Sequence, residues 1–196
     1  MIPILVVPGL GGSGETHWQT HLQRVLHGTT RVEQDDWERP DLVRWLDRLA
    51  WAIELWPDAV LVAHSLGCPL VAHLAHRRPD LDIAAALLVA PADVDSARHT
   101  PHQTHGFAPI PRRPLRFRSI VVASTNDSYI AIDRARELAD AWDAEFVDAG
   151  PVGHINVASG FGPWPAGARM VESLRAWAEA RPAVSRRGLR AAARAR

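Results

Sequence analysis

The reading of the fold turns on Asp58-Ala-Val-Leu-Val-Ala-His-Ser-Leu-Gly-Cys-Pro-Leu-Val-Ala-His-Leu-Ala75. Within it, the apolar run Val60-Leu-Val-Ala63 has the length and β-branched content of a buried strand. The run breaks at His64-Ser65-Leu66-Gly67, after which Leu70, Val71, Leu74 and Ala75 recur at helical spacing. A strand that turns straight into a helix with a serine at the corner is the layout of a nucleophile elbow. Ala63 and Gly67 stand two positions to either side of Ser65, where a larger side chain would collide with so tight a turn. Glycine is usual at the first of these places, so Ala63 is a departure.

Outward from this stretch the same alternation continues. Ile4-Leu-Val-Val7 reads as a buried strand stopped by Pro8-Gly9, and Trp18, Leu22 and Val25 mark a helix ending at Gly28. Thr29 to Glu33 suits a short strand, and Leu42, Leu46, Leu49 and Ile53 an amphipathic helix opened by Pro40 and closed by Pro57. Strands are expected at Ala84–Ala90, Ser119–Ala123 and Glu145–Val147. Helices are expected around Ile132, Ala135, Leu138, Ala139 and Trp142, and around Val171, Leu174 and Trp177. Nearly continuous apolar strands alternating with helices imply an α/β fold, a mostly parallel sheet with helices on both faces. Residues 93–118, rich in His, Pro and Arg, read as a long surface loop rather than a second domain. Residues 1–181 are expected to form a single domain, and 182–196 an arginine-rich, solvated, flexible tail.

Composition narrows the chemistry. The 196 residues carry 22 basic and 22 acidic side chains, a balance that gives no general pull toward nucleic acid or a membrane surface. Every basic residue is an arginine, and the absence of lysine excludes Schiff-base, pyridoxal-phosphate and P-loop chemistry. The lone Cys68 has no internal disulfide partner and reads as a small buried side chain. The stretch Met1-Ile-Pro-Ile-Leu-Val-Val-Pro8 lacks a basic start and is too short for a signal peptide, and Ile83–Ala92 is too short to span a bilayer. A cytoplasmic protein is the expectation.

Ligands of open parallel sheets bind at the carboxyl ends of the strands. The residues just beyond those ends are Gly9-Leu-Gly-Gly12, Ser65, Asp127 and His154. The order Ser, Asp, His is that of α/β-hydrolases. A serine hydroxyl needs a base to take its proton, and the base needs a carboxylate to fix its tautomer. Ser65, His154 and Asp127 are therefore the candidate catalytic set, with the N–H groups of Leu10 and Leu66 as an oxyanion hole. Asp93 also follows a strand and is the rival acid. Asp127 is preferred because Ser124-Thr-Asn-Asp127 turns off a strand nearer the sheet's end. His64 should point away from its neighbour Ser65, whereas His17 is a candidate to line the site. Trp18, Trp37, Phe161 and Trp164 are candidate walls for an apolar acyl or leaving group, or else ordinary core.

Other patterns compete for the same residues. Gly9-Leu-Gly-Gly-Ser-Gly14 spells G-x-G-x-x-G with Asp35 or Asp36 at a ribose-binding distance, which raises a dinucleotide-binding alternative. Glu15 stands where a P-loop needs its lysine. His17-Trp-Gln-Thr-His21 has zincin spacing without the general-base Glu, and His99, His102 and His105 lie in a polar loop with no carboxylate to organise them. No metal and no cofactor are expected.

At these residues the chain resembles the small, lidless α/β-hydrolases of the retinoblastoma-binding protein nine and YdeN-like serine hydrolase family. The resemblance rests on Gly9-Leu-Gly-Gly-Ser-Gly-Glu-Thr-His-Trp-Gln19, Gln34-Asp-Asp-Trp37 with Pro40-Asp41, and Leu61-Val-Ala-His-Ser-Leu-Gly67. It continues through Phe107-Ala-Pro-Ile-Pro111, Ser119 to Asp127, Gly153-His-Ile-Asn156, Ser159-Gly160 and Trp164-Pro-Ala-Gly167, as far as about Trp177. It implies Ser65, Asp127 and His154 as a triad and no large cap domain. The expected activity is that of a serine hydrolase acting on a small-molecule ester or amide, without nucleic acid or membrane partners. The rival from another class is a hydrolase-fold protein-interaction module with little catalysis.

Overall fold

Strands that are apolar on both sides must be covered on both sides, and this sheet is. The computed structural model describes residues 1–181. The expected arginine-rich tail, residues 182–196, lies outside the described residues. Six strands form one sheet: β1 (Ile4–Val7), β2 (Thr29–Arg31), β3 (Ala59–His64), β4 (Ile83–Val89), β5 (Arg118–Ala123) and β6 (Glu145–Asp148). Their order is β2-β1-β3-β4-β5-β6 and every pairing is parallel. The helices are α1 (Trp18–Val25), α2 (Leu42–Leu55), α3 (Gly67–Arg77), α4 (Ile132–Ala141) and α5 (Pro165–Ala180).

The period-two alternation of a strand divides the core. Leu5 and Val7 of β1 and Leu61 and Ala63 of β3 face α2, α3 and α4, packing with Trp45, Leu49, Leu70 and Leu138. Ile4 and Val6, with Val60 and Val62, face α1 and α5 and meet Trp18, Leu22, Val171 and Leu174. Gln19 of α1, wholly buried, donates its amide to the carbonyl of Val62 at 2.9 Å and so ties the helix to the sheet. No helix among the described residues is long and apolar enough to cross a membrane.

The elements follow the expected order, with three local differences. α1 ends at Val25 and not at Gly28, because the β-branched Val25 is followed by Leu26 in extended geometry. β2 stops at Arg31 after three residues. Residues 93–118 are only partly a surface loop. Phe107, Ile110 and Leu115 are buried, and the ring of Phe107 meets Trp45 edge-to-face at 5.6 Å. His73 of α3 bonds the Phe107 carbonyl at 2.7 Å. The segment covers apolar surface that α2 and α3 leave open, a tertiary role that its polar composition hides.

The chain leaves β1 for β2 on one side and returns to β3 on the other. This reversal opens a crevice at the carboxyl ends of β1 and β3, where ligands of doubly wound sheets sit.

Candidate active site

The crevice is shaped first by close backbone packing. Ser65, between β3 and α3, sits in the left-handed region at φ 54, a strained conformation for a residue with a side chain. Two glycines hold the strained turn. A Cβ on Gly67 would lie 2.4 Å from the Val7 carbonyl oxygen, and one on Gly9 would lie 2.9 Å from the Ser65 Cβ. The turn after β1 and the turn after β3 are thereby pressed together. Among the described residues, neither the N–H of Leu10 nor that of Leu66 has a hydrogen-bond acceptor in the protein.

Opposite Ser65 stands His154, on the loop after β6. Its Nε2 lies 2.9 Å from the Ser65 Oγ. Its Nδ1 lies 2.8 and 3.0 Å from the two carboxylate oxygens of Asp127, whose side chain is wholly buried. A carboxylate only accepts, so Nδ1 carries the proton and donates. Nε2 is then left to accept the serine hydroxyl. Asp127 also accepts the N–H of Tyr129 at 2.8 Å, and the Tyr129 ring packs 4.2 Å from that of His154. The rival Asp93 instead meets Arg134 at 3.4 Å. Asp127 is thus the carboxylate on His154, and the three polar residues read from the strand ends come together.

The loop carrying His154 is held by groups to which the sequence reading gave no such role. Gly153 N–H donates to Asn126 Oδ1 at 2.6 Å, and His154 N–H to Ser159 Oγ at 3.0 Å. Two ring N–H groups then reach successive carbonyls: His64 Nε2 that of His154 and Trp18 Nε1 that of Ile155, each at 2.9 Å. Ile155 itself lies at φ 48, a strained conformation that such a clamp can sustain. Asn126 also accepts from Ser124, so the loops bearing Asp127 and His154 share one anchor. Asn126 beside the candidate acid, and the Asn156-x-x-Ser159 spacing of a capping turn, were the available signals.

A cavity of about 270 Å³ opens over Ser65 and His154, bounded also by Leu10, His17, Tyr129 and Asn156. Burial, then Arg31 and His154, lower the His17 pKa from 6.5 to about 4. His64, fully enclosed, is held well below 6.5 by burial and by the neighbouring imidazoles of His154 and His17. None of the four expected aromatic walls lines this cavity. Trp18 and Trp164 stand edge-to-face at 5.1 Å and border a separate cavity of about 400 Å³. Phe161 packs on Trp164, and Trp37 lies under Gly12 and against Trp45. Their places follow from packing: Trp18 spends its one N–H on the loop behind His154, and Trp37 supports the glycine turn from below.

The dinucleotide pattern does not find its partners. Asp36 accepts the N–H groups of Glu38 and Arg39, Asp35 pairs with Arg48, and Gly14 ends three residues before the cap of α1 and does not open the helix. His99 and His105 are engaged by the carbonyls of Ser128 and Thr100. Cys68 is buried, its thiol donating to the Val89 carbonyl at 3.4 Å.

Comparison with known proteins bears on the fold and the family. The serine hydrolase family pattern matches residues 4–173. A solved putative YdeN-like hydrolase from Pectobacterium atrosepticum shares 32% identity at a TM-score of 0.80, over 91% of this chain and 92% of that one. The ydeN product of Bacillus subtilis superposes at a TM-score of 0.73 with 21% identity, over 90% of this chain and all of that one. Est1E from Butyrivibrio proteoclasticus, solved with ferulic acid bound, shares the fold at a TM-score of 0.69 and 12% identity, over 90% of each chain. No curated protein matches. With a strained serine between strand and helix, an uncapped parallel sheet and a family match over most of its length, the chain belongs to the serine hydrolase family of small, YdeN-like α/β-hydrolases.

Proposed function

We propose that this protein cleaves a small carboxylic ester or amide by acyl transfer to Ser65. The observation that carries the reading is the unbroken hydrogen-bond chain from Ser65 Oγ through both nitrogens of His154 to Asp127. As the Ser65 oxygen attacks the carbonyl carbon, its proton passes to His154 Nε2, and the buried Asp127 carboxylate stabilises the imidazolium that forms. The carbonyl oxygen gains negative charge and is met by the N–H groups of Leu10 and Leu66, each such donor worth about 3 kcal/mol to the transition state. His154 returns the proton to the departing alcohol or amine. It then takes a proton from a water that attacks the acyl carbon, and gives it to Ser65 Oγ as the bond from that oxygen to the acyl carbon breaks and the acid departs. Every proton moves within this chain of groups, and the reaction requires no cofactor.

The test pairs covalent labelling with turnover. An alkyl fluorophosphonate should label the protein at Ser65 alone, and Ser65→Ala should lose both labelling and hydrolysis of p-nitrophenyl esters while melting within a few degrees of the parent. An unlabelled Ser65, or hydrolysis that survives in Ser65→Ala, refutes the reading and favours a hydrolase fold used only for interaction.

A further inference from the structure

His17 is built into the cavity wall with one nitrogen occupied and one free. It caps α1, and its Nδ1 accepts the Gln19 N–H at 3.2 Å. A nitrogen that accepts carries no proton, so the neutral ring bears its hydrogen on Nε2. The ring is held fast: 6% exposed, it packs 4.9 Å from His64 and 5.5 Å from Trp18. The next turn is pinned to the sheet by Gln19. Among the described residues Nε2 has no partner, yet it is not sealed from solvent, and the residue borders the cavity over Ser65. The cavity therefore receives a fixed, uncharged N–H donor.

The acyl-transfer chemistry leaves this donor unused. The carbonyl oxygen is met by two backbone N–H groups, and the leaving atom takes its proton from His154. A third donor needs a third oxygen, and the acyl chain is the part that stays bound through both halves of the reaction. Among the described residues, neither an arginine nor a carboxylate borders the cavity, so none of them there balances a charged chain. At about 270 Å³ it lies just below the usual range of roughly 300–1,000 Å³ for ligand pockets, which suits a short acyl chain.

Resting on the acyl-transfer reading above, we infer that His17 Nε2–H donates to an uncharged oxygen on the acyl chain. The protein is then selective for short acyl groups bearing an ether, hydroxyl or carbonyl oxygen. His17 acts on specificity, apart from the bond that breaks.

Two isosteric pairs of p-nitrophenyl esters test this: β-methoxypropionate against valerate, and methoxyacetate against butyrate, each rate normalised to hydroxide hydrolysis. The oxygenated ester of at least one pair should lead in kcat/KM by about tenfold or more. In His17→Asn, whose shorter side chain still caps the helix, that ratio should fall toward one, and His17→Gln, with a longer-reaching amide N–H, should recover part of it. A normalised ratio near one for both pairs in the parent overturns the inference, as does a His17→Asn in which both esters lose kcat/KM in equal proportion. Absence of fluorophosphonate labelling at Ser65 is a different failure, because it removes the acyl-transfer reading itself.

Discussion

At the scale of single residues, the site depends on positions where only one side chain fits. Gly67 is the sharpest case, since any Cβ there meets the Val7 carbonyl oxygen at 2.4 Å and the backbone must give way. Gly67→Ala should therefore cost about 1–3 kcal/mol of stability, the range for overpacking a buried site, and shift Ser65 off its mark. Urea unfolding and p-nitrophenyl ester turnover check the two effects together. The two strand-end acids should separate cleanly. Asp127→Asn leaves His154 without the partner that sets its tautomer, and kcat should drop by about 10⁴. Asp93→Asn breaks the partly buried pair with Arg134, so it should lower the melting temperature and leave most of the turnover. A larger loss of kcat from Asp93→Asn would transfer the acid's role to that residue.

At the scale of elements, precision comes from the loop after β6 and the groups that clasp it. Trp18 reaches Ile155 from 137 residues away in sequence, and His64 reaches His154 from 90 away. Trp18→Phe keeps most of the ring packing and removes the N–H, leaving the Ile155 carbonyl without its donor. A lost hydrogen bond is worth about 1 kcal/mol, so kcat should fall up to about tenfold with KM nearly constant. Equal rates for Trp18→Phe and parent would show that packing alone holds the loop. These long-range bonds also explain what the sequence could and could not disclose. Strand and helix order, and the places of Ser65, Asp127 and His154, were legible because apolar runs fix the strands and parallel topology puts their following residues at one edge. The clamp was not, because no periodicity links an indole in α1 to a carbonyl near residue 155. The aromatic residues were left between wall and core for a related reason. Side-chain size marks Trp18, Trp37 and Trp164 as packing groups without saying which cavity they border. Burial of Phe107 within a polar stretch was hidden in the same way.

At the scale of the whole molecule, the buried imidazoles tie stability to pH. His17, His64 and His73 all have their pKa lowered from 6.5 in the folded protein, with burial the largest cause in each. Below pH 6.5 the unfolded chain therefore takes up protons that the folded chain refuses, and stability falls as pH falls. The contribution is fully present above about pH 6.5. For His17 it is lost progressively until the folded ring itself protonates near pH 4. Each imidazole kept neutral adds about 1 kcal/mol per pH unit to the slope. Asp36 and Asp80, whose carboxyls are held below 3.8, titrate beneath this window and leave it to the histidines. Urea unfolding at pH 7.5 and pH 5 should therefore give a clearly smaller free energy at the lower pH. His17→Asn should flatten the dependence by one proton's share, since it removes one site of differential uptake. Equal unfolding free energies at the two pH values would mean that the imidazoles titrate alike in both states, and that the fold does not exclude their charge.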